Sequence, residues 1–425
     1  MNNQRLELVA DFYEYTMANG YFNKNMEDRV AYFDVFFRKV PDEGGYAIVA
    51  GLEQIINYIR NVSFDEEDIS YLRKQNKFTE EFLNYLENFR FTGDIWAIPE
   101  GTVVFPNEPL ITVKAPIIQA QLLETMLLLT TNHQSLIATK TSRIVKEAQG
   151  RPVMEFGARR AHGINAAVEG ARAAIIGGAV GTSCTLSAKE FNVPASGTMA
   201  HSWIQSFDSE YEAFKAYAEL YPDDCTFLID TYNTIESGLP NAIKVFNEVL
   251  KPKGYRPKAV RLDSGDLAYL SKKVRKILDE TGYEDCKICA TNSLDEYLIK
   301  SLIEQDAKID LFGVGENLIT AKSEPVFGGV YKLVALEKDK KIVPKIKVSE
   351  NTAKVTNPSV KKVYRFYDNE TKKAIADVIT LADEIIDERE YMIFDPQNPW
   401  KKKVLKDYSI RLLQEKIFEE RKINI

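Results

Sequence analysis

The feature that most constrains this chain is a rhythm that begins near residue 150. Short apolar runs, each stopped by polar or glycine residues, alternate with helix-like stretches. The runs are Val153 to Gly157 (VMEFG), Ala179 to Cys184 (AVGTSC), Ala195 to His201 (ASGTMAH), Thr226 to Tyr232 (TFLIDTY), Ala259 to Asp266 (AVRLDSGD), Lys287 to Asn292 (KICATN) and Leu311 to Gly315 (LFGVG). Between several of them lie GLPNAIKVFNEVLKPKG, DLAYLSKKVRKILDETG and SLDEYLIKSLIEQD, whose apolar residues recur at helical spacing. Such alternation predicts parallel βα units. Seven of them predict an α/β barrel or incomplete barrel, with an open sheet as the alternative.

In barrels of this kind the reactive groups sit at the carboxyl ends of the strands. Here Asp230, Asp263, Asp266, Asn292 and the Gly-Val-Gly of 313–315 all fall at run ends. Each polar residue alone could cap the following helix; together they favour one site. The flanks read differently. Residues 1–115 combine a helix-like start, the strand AYFDVFFRKVP, a glycine turn into a helix and short strands in WAIPEGTVVFPNEPLITVKAP, which predicts an N-terminal α+β domain. The barrel is expected over 116–335. Residues 336–425 alternate apolar and charged residues around a DNET turn, which predicts a small β-containing extension packing on the N-terminal domain.

Composition removes several function classes. With 55 Lys+Arg against 62 Asp+Glu the chain carries a net charge of −7, and no basic block supplies the footprint a nucleic-acid reader needs. The apolar stretches IIQAQLLETMLLLTT and AAIIGGAVGTSC are too short or too interrupted to span a membrane. The start, MNNQRLELVADFYEYTMANGYF, has no secretory pattern, so a cytoplasmic enzyme is expected. Four cysteines (Cys184, Cys225, Cys286, Cys289) are too few for a disulfide framework and are expected as reduced thiols.

Three motifs carry chemistry. FGVGEN follows an apolar run and precedes a helix-like segment, an arrangement that can cradle a phosphate on backbone N–H groups or simply make a tight turn. No P-loop occurs in the chain. VRLDSGDL places Arg261 and Asp263 on one side of a strand, suited to a ligand with anionic groups and sugar hydroxyls, or to an internal ion pair. ASGTMAHSW holds His201 among small residues at a run end. Imidazole is both nucleophile and base near neutral pH, and only His133 and His162 compete for such a role. No metal-ligand spacing is present, so no resident metal is expected.

Taken in order, DFYEYTMANGY, FFRKVP, EFGARRAHG, GTSC, SGTMAHSW, LIDTY, RLDSGDL, FGVGENL, GGVYKLV and PKIKVSENTAKVTNP resemble the nicotinate phosphoribosyltransferase family, from about residue 8 to about residue 365. The resemblance implies an incomplete, seven-strand barrel of the type II phosphoribosyltransferase kind. It implies an ATP-dependent, ligase-type enzyme that joins nicotinate to 5-phosphoribosyl 1-pyrophosphate, giving nicotinate mononucleotide and pyrophosphate in NAD salvage. By that mapping His201 is the phosphorylated histidine and acts with Asp230 and Asp263. Tyr13, Phe156, Arg159, Ser183, Thr198 and Arg261 would meet nicotinate. Arg38, Asp266, Gly313, Gly315, Glu316 and Lys332 would meet phosphoribosyl pyrophosphate. ATP is the implied co-substrate, Mg²⁺ arrives with the pyrophosphate, and a homodimer with shared active sites is the implied assembly.

Two positions depart from the family pattern. Glu316 stands where many members have Thr, and His162 where many have Gln. A third informs substrate choice. Related nicotinamide phosphoribosyltransferases carry Asp in the motif matching GTSC, whereas Ser183 is here; a hydroxyl tolerates the anionic acid that a carboxylate would repel. The nicotinamide enzyme is therefore the alternative within the same chemistry. From other classes, a non-catalytic phosphosugar-binding barrel would lack His201 or RLDSGD, and a barrel lyase or isomerase would show lysines or metal ligands at strand ends.

Overall fold

In a computed structural model, residues 6–348, 356–387, 389–396 and 398–419 are described. The middle of the PKIKVSENTAKVTNP motif, residues 349–355, lies outside the described residues. The chain divides into two compact units, residues 137–325, and residues 1–136 with 326–425.

Six of the apolar runs form the parallel strands of the first unit: β1 (Val153–Glu155), β2 (Gly181–Thr182), β3 (Thr226–Leu228), β4 (Ala259–Leu262), β5 (Lys287–Ala290) and β6 (Leu311–Val314). Their order is β2-β1-β6-β5-β4-β3. The sheet thus runs from β3 through β6, returns to β1 and ends at β2, leaving a seam between β2 and β3. Where seven strands are expected the structure has six. Residues 195–200, which fall at that seam, make one bridge, Ala195 with Thr182, and one backbone bond to the neighbouring strand, Ser196 N–H to Thr182 O at 2.8 Å. The physical reason is compositional. Pro194 precedes the run and Gly197 interrupts it, and its small residues offer little side-chain packing to hold a ladder. The result is an incomplete α/β barrel.

The helices follow from the expected caps. Asp266 caps Leu267–Glu280 by accepting from Tyr269 N–H at 2.9 Å, and Asp295 caps Glu296–Glu304. Gly282, at φ +81°, ends the first of these. Phe214, Phe227 and Phe246 stack at 4.5 and 5.4 Å, fastening the helix Glu210–Leu220 and the helical stretch through 246–250 onto β3. An open cleft of about 540 Å³ runs along Gly197–Ala200, walled by Trp203, Tyr217 and Tyr221.

The second unit is built on an antiparallel sheet whose strands follow the order Lys341–Pro344, Gly329–Lys338, Val30–Phe37, Ile111–Pro116, Asp94–Ala97 and Glu415–Phe418. Its centre is aromatic. Tyr331 is fully buried, stacks on Phe33 at 4.7 Å and donates its hydroxyl to Ala120 O at 2.8 Å. The DNET turn joins Lys361–Asp368 to Ala374–Leu381 in a hairpin. No helix of the described residues is long and apolar enough to cross a membrane. Cys184, Cys225, Cys286 and Cys289 are all free thiols, and burial pushes Cys225, Cys286 and Cys289 up to about 12, which keeps them protonated and inert.

Candidate active site

Because β3, β4 and β5 are parallel neighbours, their carboxyl ends deliver side chains to one edge of the sheet. Asp230 and Thr231 follow β3, Arg261 lies within β4, Asp263 and Ser264 follow it, and Thr291 follows β5. The hydrogen bonds interlock them. Asp230 is buried and its Oδ2 accepts from Asp263 N–H at 2.8 Å and from Ser264 Oγ–H at 2.5 Å. Its Oδ1 is buried with no hydrogen-bond partner. Asp263 Oδ1 accepts from Thr291 Oγ–H and stands 3.4 Å from the Arg261 guanidinium. Arg261 also donates to Thr291 Oγ1 at 3.1 Å, Met199 O at 3.3 Å and Thr198 Oγ1 at 3.4 Å.

The seam segment brings the imidazole to this edge. His201 opens the short helix His201–Gln205, with Nδ1 3.0 Å from Thr231 Oγ1 and Nε2 3.6 Å from Asp263 Oδ2. Both ring nitrogens therefore have an oxygen nearby. Whichever keeps its proton meets an acceptor, and the other keeps a lone pair. The Nε2 side is the looser of the two and the side chain is 39 % exposed, so the ring is reachable. His201, Asp263, Asp230, Arg261 and Thr198 thus form one network.

The ends of β1, β2 and β6 carry the remaining residues of this unit. Phe156 follows β1 and is half-buried, and Arg159 lies exposed in the short turn Ala158–Arg160. Ser183 follows β2 and is exposed. Gly313 and Gly315 have a packing reason for lacking a side chain. A Cβ at Gly313 would lie 2.5 Å from the Phe156 ring, and one at Gly315 2.9 Å from Phe156 O. Glu316 pairs with Lys322 at 2.9 Å and faces Arg160 at 3.8 Å, and the Lys322 ammonium holds its carboxyl below the usual range. Asp266 spends its side chain on the helix cap described above. His162 is exposed.

Tyr13, Arg38 and Lys332 belong to the other unit. Tyr13 projects from the helix Phe12–Phe22 with 44 % of its surface exposed, and burial of its hydroxyl beside Glu124 raises its pKa. Arg38 follows the strand Val30–Phe37 and lies over the Phe36 ring at 5.7 Å. Lys332 sits opposite Asp34 in the adjoining strand.

Sequence reasoning did not single out Glu155, Thr182, Thr231 or Thr291. Glu155 is fully buried in β1, accepting from Gly157 N–H and from Thr182 Oγ–H at 2.6 Å, and burial raises its pKa. The available signal was a carboxylate inside an otherwise buried parallel strand, where polar residues need a partner. Among the described residues no group of three or more His, Cys, Asp or Glu is arranged to hold a metal ion. Within the strand-end network, Asp230 Oδ1 is a buried carboxylate oxygen left without a hydrogen-bond partner.

Comparison with known proteins agrees along the whole chain. Residues 152–380 match the nicotinate phosphoribosyltransferase family, and residues 8–132 and 360–424 match the N-terminal and C-terminal domains of nicotinate phosphoribosyltransferase. The chain is 46 % identical over 416 residues to nicotinate phosphoribosyltransferase of Bacillus subtilis, covering 98 % of this chain and 84 % of that one. With the Homo sapiens protein of the same name it shares 29 % over 436 residues, covering 89 % and 80 %. The crystal structure of human nicotinic acid phosphoribosyltransferase superimposes with a TM-score of 0.85 at 26 % identity, covering 97 % of this chain and 89 % of that one. A strand-end network of two aspartates, an arginine and a histidine on an incomplete barrel, carried by a sequence matched from end to end, shows that this chain belongs to the nicotinate phosphoribosyltransferase family.

Proposed function

We propose that the chain joins nicotinate to 5-phosphoribosyl 1-pyrophosphate in NAD salvage, releasing nicotinate mononucleotide and pyrophosphate, and that ATP hydrolysis is coupled through a phosphorylated His201. The observation that carries this reading is the network joining Asp230, Asp263, Arg261 and His201. In the reaction the pyridine nitrogen bonds to the ribosyl carbon as the bond to pyrophosphate breaks. Positive character grows on the sugar and negative charge on the leaving group. Asp230 and Asp263 stabilise the first, and Arg261 anchors the anionic acid with Arg159. Phe156 and a Tyr13 ring would stack on the pyridine, each contributing on the order of 1 kcal/mol beyond area burial. Ser183 accommodates the carboxylate, Thr198 positions Arg261, and the backbone at Gly313 and Gly315 takes the 5′-phosphate. Glu316 serves through its main chain, since its carboxylate is held by Lys322.

Mg²⁺ bound to the pyrophosphate would neutralise leaving-group charge, and Asp230 Oδ1 is the residue atom that fits it. If Thr231 takes the Nδ1 proton, the Nε2 lone pair is left for the γ-phosphoryl group of ATP, which needs no P-loop. A cytoplasmic homodimer in which each chain's Tyr13 completes its partner's site accounts for the exposed ring. The test incubates the protein with γ-labelled ATP, beside His201→Ala, and follows nicotinate and nicotinamide turnover. Acid-labile label on the native protein alone, with nicotinate preferred, is expected. Absence of label removes the coupling, comparable nicotinamide turnover removes the role of Ser183, and full activity of a diluted monomer removes the shared site.

A further inference from the structure

β2 is the weakest-held element of the barrel. It is two residues long, pairs with β1 only through Met154 with Gly181 and Glu155 with Thr182, and has the single Ala195 bridge on its other side. Yet it must present Ser183 at a fixed distance from the β1 turn that bears Phe156 and Arg159. Backbone pairing of that length leaves the ends free to fray. The bonds around the two turns converge instead on one side chain. Glu155 Oε1 accepts from Gly157 N–H in the β1 turn, and Oε2 accepts from Thr182 Oγ–H at 2.6 Å. Thr182 Oγ1 in turn accepts from Cys184 N–H at 2.9 Å, and Glu155 O accepts from Ser183 N–H at 2.9 Å. Gly157 has no room for a side chain, since a Cβ would lie 2.8 Å from Glu155 Oε1 and 2.5 Å from Ile319 Cβ.

The carboxyl group is fully buried, and among the described residues no Lys, Arg or His forms an ion pair with it. Burying an acid without a cation opposes folding, so stability alone does not account for it. We propose that Glu155 is a positioning residue for the pyridine acid, tying the Phe156–Arg159 turn to the Ser183 turn and so fixing the spacing of the nicotinate subsite. This rests on the assignment of Phe156, Arg159 and Ser183 to nicotinate made above.

Thr182→Val removes the tie at nearly constant volume, while Thr182→Ser and Glu155→Gln each keep a hydrogen bond between the two side chains. Losing the hydroxyl's two hydrogen bonds, to Glu155 and from Cys184 N–H, predicts that Thr182→Val raises KM for nicotinate about tenfold or more while KM for phosphoribosyl pyrophosphate and kcat stay within about twofold. Thr182→Ser and Glu155→Gln are expected to remain near the native nicotinate KM. Melting temperatures of all variants separate this effect from misfolding. An unchanged nicotinate KM in Thr182→Val, or an equal rise in both KM values, overturns the proposal. Phe156→Ala distinguishes the underlying assignment: if it leaves the nicotinate KM unmoved, that turn does not face nicotinate, whatever Thr182→Val does.

Discussion

Each unit brings two acids together, and the two pairs are finished differently. In the antiparallel unit Glu108 and Asp377 lie together beside Arg365. The guanidinium donates to both Asp377 oxygens, at 2.8 and 2.6 Å, and to Val103 O at 2.6 Å. Glu108 accepts from Phe105 N–H at 2.9 Å, and burial next to Asp377 pushes its carboxyl up to about 8, so it stays protonated near neutral pH. This cluster satisfies itself. The strand-end pair, Asp230 and Asp263, does not: Asp230 Oδ1 has no partner, Arg261 makes contacts of 3.1–3.4 Å, and His201 stands 3.6 Å from the Asp263 carboxylate. A closed polar network stabilises a fold, whereas an open one leaves valence for a ligand.

Breaking each network should show that difference. Arg365→Met leaves two buried acids without their cation and is expected to cost about 3–5 kcal/mol of stability, read by denaturant unfolding, while kcat of the folded protein is unchanged. Under the proposed function Asp263→Asn should do the reverse, lowering kcat by roughly 10²–10³ in steady-state assays with little change in unfolding, because the charge removed is the one assigned to the reacting sugar.

Glu14 sharpens the contrast with an intermediate case. It is buried, hydrogen-bonded to Thr125 and pushed up to about 7 by burial, with Glu124 adding to the shift. A raised carboxyl favours folding with its proton on, so its contribution is complete below its ordinary 4.5 and is lost as pH rises through about 7. Glu14→Gln is therefore expected to raise the melting temperature at pH 8 and leave it nearly unchanged at pH 4. The smallest effect belongs to Glu316→Thr. It breaks only exposed, solvent-screened pairs with Lys322 and Arg160 and should leave the midpoint of the same unfolding measurement nearly unchanged.

The parts of the molecule legible in the sequence were those with local causes. Apolar runs stopped by polar or glycine residues marked six strands, and Asp266 marked a helix start. The run at 195–200 follows Pro194, is interrupted by Gly197 and has Thr198 as its single β-branched residue, and its neighbours across the seam are not visible in one dimension. Glu155 with Thr182, and Asp263 with Thr291, pair across 27 and 28 positions. Nothing local to either residue announces such a bond. Gly313 shows a further reason that one dimension does not display: besides the turn that its sequence suggests, it leaves room for the Phe156 ring.

The unfinished seam also sets what the barrel can do without damage. Displacing any of the four inner strands would unzip a ladder on both sides, whereas the stretch leading into His201 has a single bridge in place of a ladder, is otherwise held by Arg261 at Thr198 and Met199, and faces the cleft of about 540 Å³. Its amides at 197–200 are expected to be among the first in the unit to exchange with deuterium. The imidazole is thus carried by a segment of the wall held more by the Arg261 side chain than by a ladder, while β3, β4 and β5 stay in paired register.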